Sequence, residues 1–215
     1  MRLTLSTPSP GSGLRGTDRP DREAMQAAMT RFLAAAGLDA AAASDAAARS
    51  AAAWTDDLLS GYREDPARIM ETTFDEVQGD LVTLSCIPFV SVCSHHLLPF
   101  FGQAHVAYLP GDRLLGLGRL EELVHCFSRR LQLQENLGHE IAANLAAGLG
   151  ARGAACVLEA EHLCVFARGK RQRGPVTRTT AFAGDMGDDQ HFRQECLALL
   201  GNFASPAAAS EERER

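Results

Sequence analysis

No apolar run in the sequence approaches the ~20 residues that span a bilayer, and the N-terminus lacks the apolar core of a secretory signal. A membrane-spanning or secreted protein is therefore not expected, and a cytoplasmic one is. Positive charge is in deficit: 21 Lys and Arg against 27 Asp and Glu leave a net charge of -6. Nucleic acids and membrane surfaces both require a basic face, so neither is expected as a partner. Cysteines number six in 215 residues, too few for a disulfide-stapled scaffold. Reduced thiols, some of them metal ligands, fit better. What the chain does contain is 46% hydrophobic residues, enough for one globular core with an appended arm.

Residues 1–20 are rich in Ser, Thr, Gly and Pro and are expected to form a disordered arm, with residues 205–215 as a disordered tail. Residues 21–66 read as a helical region. Met25, Ala28, Met29, Phe32 and Leu33 share one helical face before a stop at Gly37. An Ala-rich helix then spans roughly 44–59. Residues 67–204 read as a mixed domain. Strand is expected over 81–87, interrupted by Pro88, and over 104–109, which should pair with 113–117 across the hairpin turn Pro110-Gly111-Asp112. Leu120, Leu123, Val124, Phe127 and Leu131 mark one helix face; Leu137, Ile141, Leu145 and Leu149 mark a second. Strands follow over 156–168 and 176–182, and a short helix over 192–200. Strands grouped around a helix pair imply an α+β fold.

The densest polar cluster is Cys93-Ser94-His95-His96. Thiolate and imidazole are the ligands Zn²⁺ prefers. At period two, His162, Cys164, Phe166 and Arg168 would share one face of the 156–168 strand. Cys93, one histidine of the pair and Cys164 would then make a three-ligand catalytic zinc site, with the other histidine free for proton transfer. The competing reading makes Cys93 a small buried hydrophobe and the histidines ordinary loop residues. Gln134-Glu135 opens the Leu137 helix, where a carboxylate either complements the helix dipole or binds a ligand. Arg129, Arg130, Arg168, Lys170, Arg171 and Arg173 form local positive charge suited to phosphates or to a solvated face.

The run from Cys93-Ser94-His95-His96-Leu97-Leu98-Pro99-Phe100-Phe101-Gly102 into Ala104-His105-Val106-Ala107-Tyr108-Leu109-Pro110 resembles the core motif of GTP cyclohydrolase I. Further pieces match in order: Ser60-Gly61-Tyr62 with Asp65-Pro66 upstream, then Gly116-Leu117 with Arg119, Leu131-Gln132-Leu133-Gln134-Glu135, Glu159-Ala160-Glu161-His162-Leu163-Cys164 and Ala167-Arg168-Gly169. The resemblance implies a tunnelling (T-fold) α+β domain with an antiparallel sheet, a helix pair on one face and an N-terminal helical extension. It implies a homodecamer with active sites at subunit interfaces. The implied reaction converts GTP and water to formate and 7,8-dihydroneopterin triphosphate, the entry to folate and pterin synthesis. By the same resemblance Cys93, His96 and Cys164 are the Zn²⁺ ligands, and His95 is the acid/base acting on the purine. His162 is a second histidine of the pocket, and Glu135 with Gln134 anchors guanine. Arg168, Arg119 and Arg49 contact the triphosphate.

The chain also departs from the family pattern. Gly118-Arg119 stands where Ser-Lys is usual, and Glu122 where an arginine helps hold the triphosphate. Ala46-Ala47 replaces Thr-Pro, and Ser94 replaces a glutamate. The metal and guanine ends are intact while the phosphate end is altered. A divergent paralogue attacking C8 of a guanine nucleotide, with a different end product or phosphate preference, is the alternative. A non-catalytic regulator is disfavoured by the three retained ligands and His95.

Overall fold

In a computed structural model, residues 19–75, 79–168 and 175–201 are described. The expected disordered arm and tail lie outside these residues, apart from Arg19 and Pro20. Contacts divide the chain into two compact units between Arg63 and Glu64.

The first unit is a helical hairpin. Helix α1 (Arg22–Ala35) is capped by the Asp21 carboxylate, which accepts from the Glu23 and Ala24 amides. It stops where Gly37, at φ +100°, takes the left-handed turn. Helix α2 (Ala40–Ala53) begins four residues earlier than its alanine run suggested, because Asp39 caps the Ala42 amide. It passes into a π-turn, Trp54–Leu58, and a 3₁₀ turn, Ser60–Arg63. Ala43, Ala47 and Ala51 form its buried stripe. Of the apolar face expected on α1, Met25, Met29 and Leu33 are only half-buried, and Phe32 is 71% exposed.

The second unit opens with the helical turn α3 (Pro66–Ile69) and the short strand β1 (Thr73–Asp75). Two long strands follow, β2 (Val82–Cys93) and β3 (Pro99–Leu109), then β4 (Arg113–Leu115) and helix α4 (Leu117–Ser128). After β5 (Leu131–Gln132) come helix α5 (Gln134–Leu149), β6 (Gly153–His162) and the turn α6 (Leu163–Phe166). Strand β7 (Thr177–Gly184), the turn α7 (Asp185–Asp188) and α8 (Gln190–Gly201) complete it. The five-stranded sheet has the order β5-β2-β3-β6-β7, with every pair antiparallel except β2–β5. Helices α4 and α5 cover one face, burying Leu120, Leu123 and Val124 with Leu137, Ile141, Leu145 and Leu149 against Ala104, Val106, Cys156 and Leu158. The alternate residues Ala107, Leu109, Ala155 and Val157 pack with Cys196 and Leu200 of α8 on the other face. This is the α+β architecture expected, with the helix pair on one face.

Three expectations are corrected. The hairpin between 104–109 and 113–117 does not form. Both edges of β3 are already occupied, Tyr108 facing Val82 on one side and Ala154 on the other. Strand β4 therefore pairs with β1 in a separate two-stranded sheet. Pro88 does not interrupt its strand. It lies within β2 opposite Gln103, on a stretch whose other edge carries no strand among the described residues, so its missing N–H costs no ladder bond. The irregularity falls instead at a bulge between Leu84 and Ile87, where Cys86 has φ +61°. Finally, the strand expected to run from 156 to 168 ends at His162. Its ladder on β3 closes with His162 opposite Phe100, next to the start of β3 at Pro99, and the chain turns into α6. Cys164, Phe166 and Arg168 therefore do not share a strand face with His162.

Candidate active site

Cys93 ends β2 and Cys164 lies two residues beyond the end of β6, with β3 between those strands. The sheet thus carries two thiols, distant in sequence, to one end of three neighbouring strands. Between β2 and β3 the loop closes tightly. The amides of His96 and Leu97 donate to the Cys93 carbonyl at 3.3 and 2.8 Å, and the Cys93 amide donates to the Leu98 carbonyl at 3.0 Å. Leu97 takes φ +55° to make that turn. The folded-back loop sets His96 Nδ1 4.0 Å from Cys93 Sγ. The ligand atoms of Cys93, His96 and Cys164 all lie within 4.8 Å of one another. His95 projects from the same exposed loop, its ring edge-on to His96 at 6.2 Å.

Two thiols and an imidazole converging from a buried, an exposed and a half-buried position match the donor chemistry of Zn²⁺. Burial, with the neighbouring Cys93 thiol, pushes the Cys164 thiol above its ordinary pKa. A cation among the three donors reverses that penalty by favouring thiolate.

A second group sits where α5 begins. Gln134 is its first residue and is only 2% exposed. Its amide nitrogen donates to the carbonyls of Leu158 and Thr177 at 3.1 and 3.0 Å and to Thr179 Oγ1 at 3.1 Å. Its oxygen accepts from His162 Nε2 at 2.7 Å. The His162 ring stacks on Phe100, with centroids 4.8 Å apart and planes 4° from parallel. Burial lowers the His162 pKa, and the nearby Glu135 carboxylate opposes that shift. Glu135 itself is exposed in the first turn of α5.

The expected residues therefore fall into separate sets. Cys93, His96 and Cys164 converge, and Gln134, Glu135 and His162 form a second group. Gln134 differs from its expectation: every polar atom of its side chain is engaged inside the protein. Phe100 was named in the sequence only within the motif run, and nothing there marked it as the stacking partner of His162. The cations stand differently. Arg119, on α4, is ion-paired at 2.5 Å with Glu122, one helical turn on. Arg49 belongs to the first unit and is ion-paired with Asp45. Arg168 is exposed just after α6.

The family model for GTP cyclohydrolase I matches residues 25–201. The chain belongs to the GTP cyclohydrolase I family. It is 42% identical over 146 residues to GTP cyclohydrolase 1 of Chlorobaculum tepidum, a match covering 67% of this chain and 65% of that protein. It is 43% identical over 148 residues to GTP cyclohydrolase 1 of Streptococcus thermophilus, covering 68% and 79%. With GTP cyclohydrolase 1 of Allorhizobium ampelinum it shares 42% identity over 190 residues, covering 86% and 94%. The chain thus spans slightly less than two thirds of the Chlorobaculum relative and nearly all of the Allorhizobium one. Among solved structures it is similar to an archaeosine synthase QueF-like protein in the apo form. That match has 18% identity and a TM-score of 0.40, and covers 50% of this chain and 97% of that one. Among the described residues no helix is long and apolar enough to cross a membrane.

Proposed function

We propose that this chain opens the imidazole ring of the guanine of GTP, releasing formate and yielding 7,8-dihydroneopterin triphosphate. The observation that carries the reading is the convergence of Cys93, His96 and Cys164 within 4.8 Å, in a member of this family. Those three residues would hold Zn²⁺. When bound, the ion supplies Lewis acidity and lowers the pKa of a water toward ~7.

The chain's own residues bind the substrate and move its protons. The Glu135 carboxylate accepts from the guanine N1–H and amino group, and a base lacking those donors leaves it unpaired. His95, exposed beside the donor set, exchanges a proton with purine N7. His162 lines the pocket, and Arg168 grips phosphate as a planar fork. The chain acts as a homo-oligomer, a decamer by family resemblance, in the cytoplasm, at the entry to folate and pterin synthesis.

One observation favours the second reading, in which the phosphate preference has diverged. Arg119 and Arg49, the cations expected at the triphosphate, are both ion-paired with carboxylates of their own helices. Each pairing must loosen before the guanidinium can grip phosphate, so discrimination between GTP and shorter guanine nucleotides is weakened. Incubation of the zinc-loaded protein with GTP, GDP and GMP, followed by mass spectrometry of the pterin and assay of formate, tests both readings. Formate and dihydroneopterin triphosphate from GTP support the first reading. Comparable turnover of all three nucleotides supports the second. Absence of formate from every nucleotide overturns both.

A further inference from the structure

Gln134 is a long polar side chain with no exposed end, and its bonding leaves one orientation open. Its NH₂ group faces three acceptors, the Leu158 and Thr177 carbonyls and Thr179 Oγ1. Turning the amide over would press its oxygen against two carbonyl oxygens, which repel it. The oxygen is therefore held toward His162 Nε2, 2.7 Å away. An amide oxygen carries no hydrogen, so this bond exists only when Nε2 does. Phe100, stacked parallel to the ring, opposes its rotation out of that plane.

From this geometry we infer that Gln134 is a positioning residue: it holds His162 as the tautomer with hydrogen on Nε2, leaving Nδ1 as the only ring nitrogen that meets substrate. The inference rests on the reading of His162 as a member of the reaction site. Its consequence is a geometry of hydrogen bonding. With Nε2–H committed to Gln134, the nitrogen left for substrate is Nδ1, whose lone pair faces a donor, a hydroxyl or a water. Gln134 is suited to enforce this because it bridges three elements. Its backbone starts α5, and its amide is tied to β6 through Leu158 and to β7 through Thr177 and Thr179.

The test combines ¹⁵N NMR of histidine-labelled protein with steady-state kinetics. In the wild type at a pH where the ring is neutral, His162, identified by its loss in His162→Ala, should show hydrogen on Nε2 alone. Gln134→Met, which leaves Nε2 without an acceptor, should give a mixture of tautomers. In turnover, Gln134→Met should lower kcat by about tenfold or more while KM for GTP moves by less than about threefold. The same substitution in the His162→Ala background should cost nothing further. Hydrogen on Nδ1 in the wild type, or an equal loss from Gln134→Met in both backgrounds, overturns the inference. Full turnover of His162→Ala overturns instead the reading of His162 as part of the reaction, and the tautomer still decides the role of Gln134. Should Gln134→Met not fold, the wild-type tautomer carries the test.

Discussion

Glu122 is the residue whose chemistry departs furthest from what a triphosphate site asks for. Its carboxylate lies 2.5 Å from Arg119, and both side chains are about half exposed, at 50% and 40%. Exposed pairs at this helical spacing contribute only about 0.3–0.5 kcal/mol. The pair is thus nearly neutral for stability and opens readily; what Glu122 adds is a negative charge beside any anion that Arg119 grips. Glu122→Gln is expected to leave the melting temperature almost unchanged and to raise the kcat/KM ratio of GTP over GMP about fivefold, on the order of 1 kcal/mol. An unchanged ratio would show that Arg119 does not read phosphate. At the metal end, Cys164→Ser exchanges a soft thiolate for a hydroxyl that stays protonated. Elemental analysis should find the bound zinc falling from about one per chain to well below half. Full occupancy in that variant would remove Cys164 from the ligand set.

At the scale of elements, the site depends on how closely β3 and β6 approach. Gly102 faces Ala160, and a Cβ added at Gly102 would lie 1.8 Å from the Glu159 carbonyl oxygen and 2.8 Å from Ala160 Cα. Neither atom belongs to a side chain that can swing aside, so Gly102→Ala must part the strands. The same pair of strands sets Phe100 opposite His162 and leads to Cys164. Overpacking of this kind costs about 1–3 kcal/mol; a lowered melting temperature together with reduced zinc is the expected result. A melting temperature equal to that of the wild type would show that the ladder yields without strain.

The middle of β3 also carries a titration. His105 is 1% exposed, and its Nδ1 accepts the Cys86 amide at 3.4 Å. Burial lowers its pKa; Glu159 pulls it up and Arg178 pushes it down. The folded state thus holds the ring neutral, while the unfolded chain takes up a proton near pH ~6.5. Protons favour the unfolded state below that point. Stability from His105 is present above pH ~6.5, is lost as pH falls through it, and levels off below the folded pKa. Thermal melts between about pH 8 and pH 5.5 should show this decline, and His105→Gln should flatten it. The same slope in the variant would assign the decline to other groups.

For the whole molecule, the family resemblance carries the expectation that neighbouring subunits complete each site. Arg49, expected at the phosphates, belongs to the first unit, where Phe32 of α1 is 71% exposed. Mass photometry should therefore find turnover confined to an oligomer, with any monomer fraction inactive. An active monomer would refute shared sites.

What the sequence determined by itself was largely local chemistry. The apolar face of α5 follows from fourfold spacing, and Leu137, Ile141, Leu145 and Leu149 are all buried. The Cys93-Ser94-His95-His96 loop was legible because a thiol and two imidazoles so close together have little use in packing. Which strand edge was free was not written in any short segment. The hairpin signal at Pro110-Gly111-Asp112 was sound as a turn, but β2 and β6 already filled the edges of β3, and β4 went to β1. Strand periodicity ran on past His162 because local preference carries no record of where a partner strand ends. Gln134 shows the same limit at one residue. Its place at the start of α5 could be read, but whether its amide faced a ligand or the protein depended on carbonyls 24 and 43 positions away. Only the assembled sheet brings those acceptors, and with them His162, to one side chain.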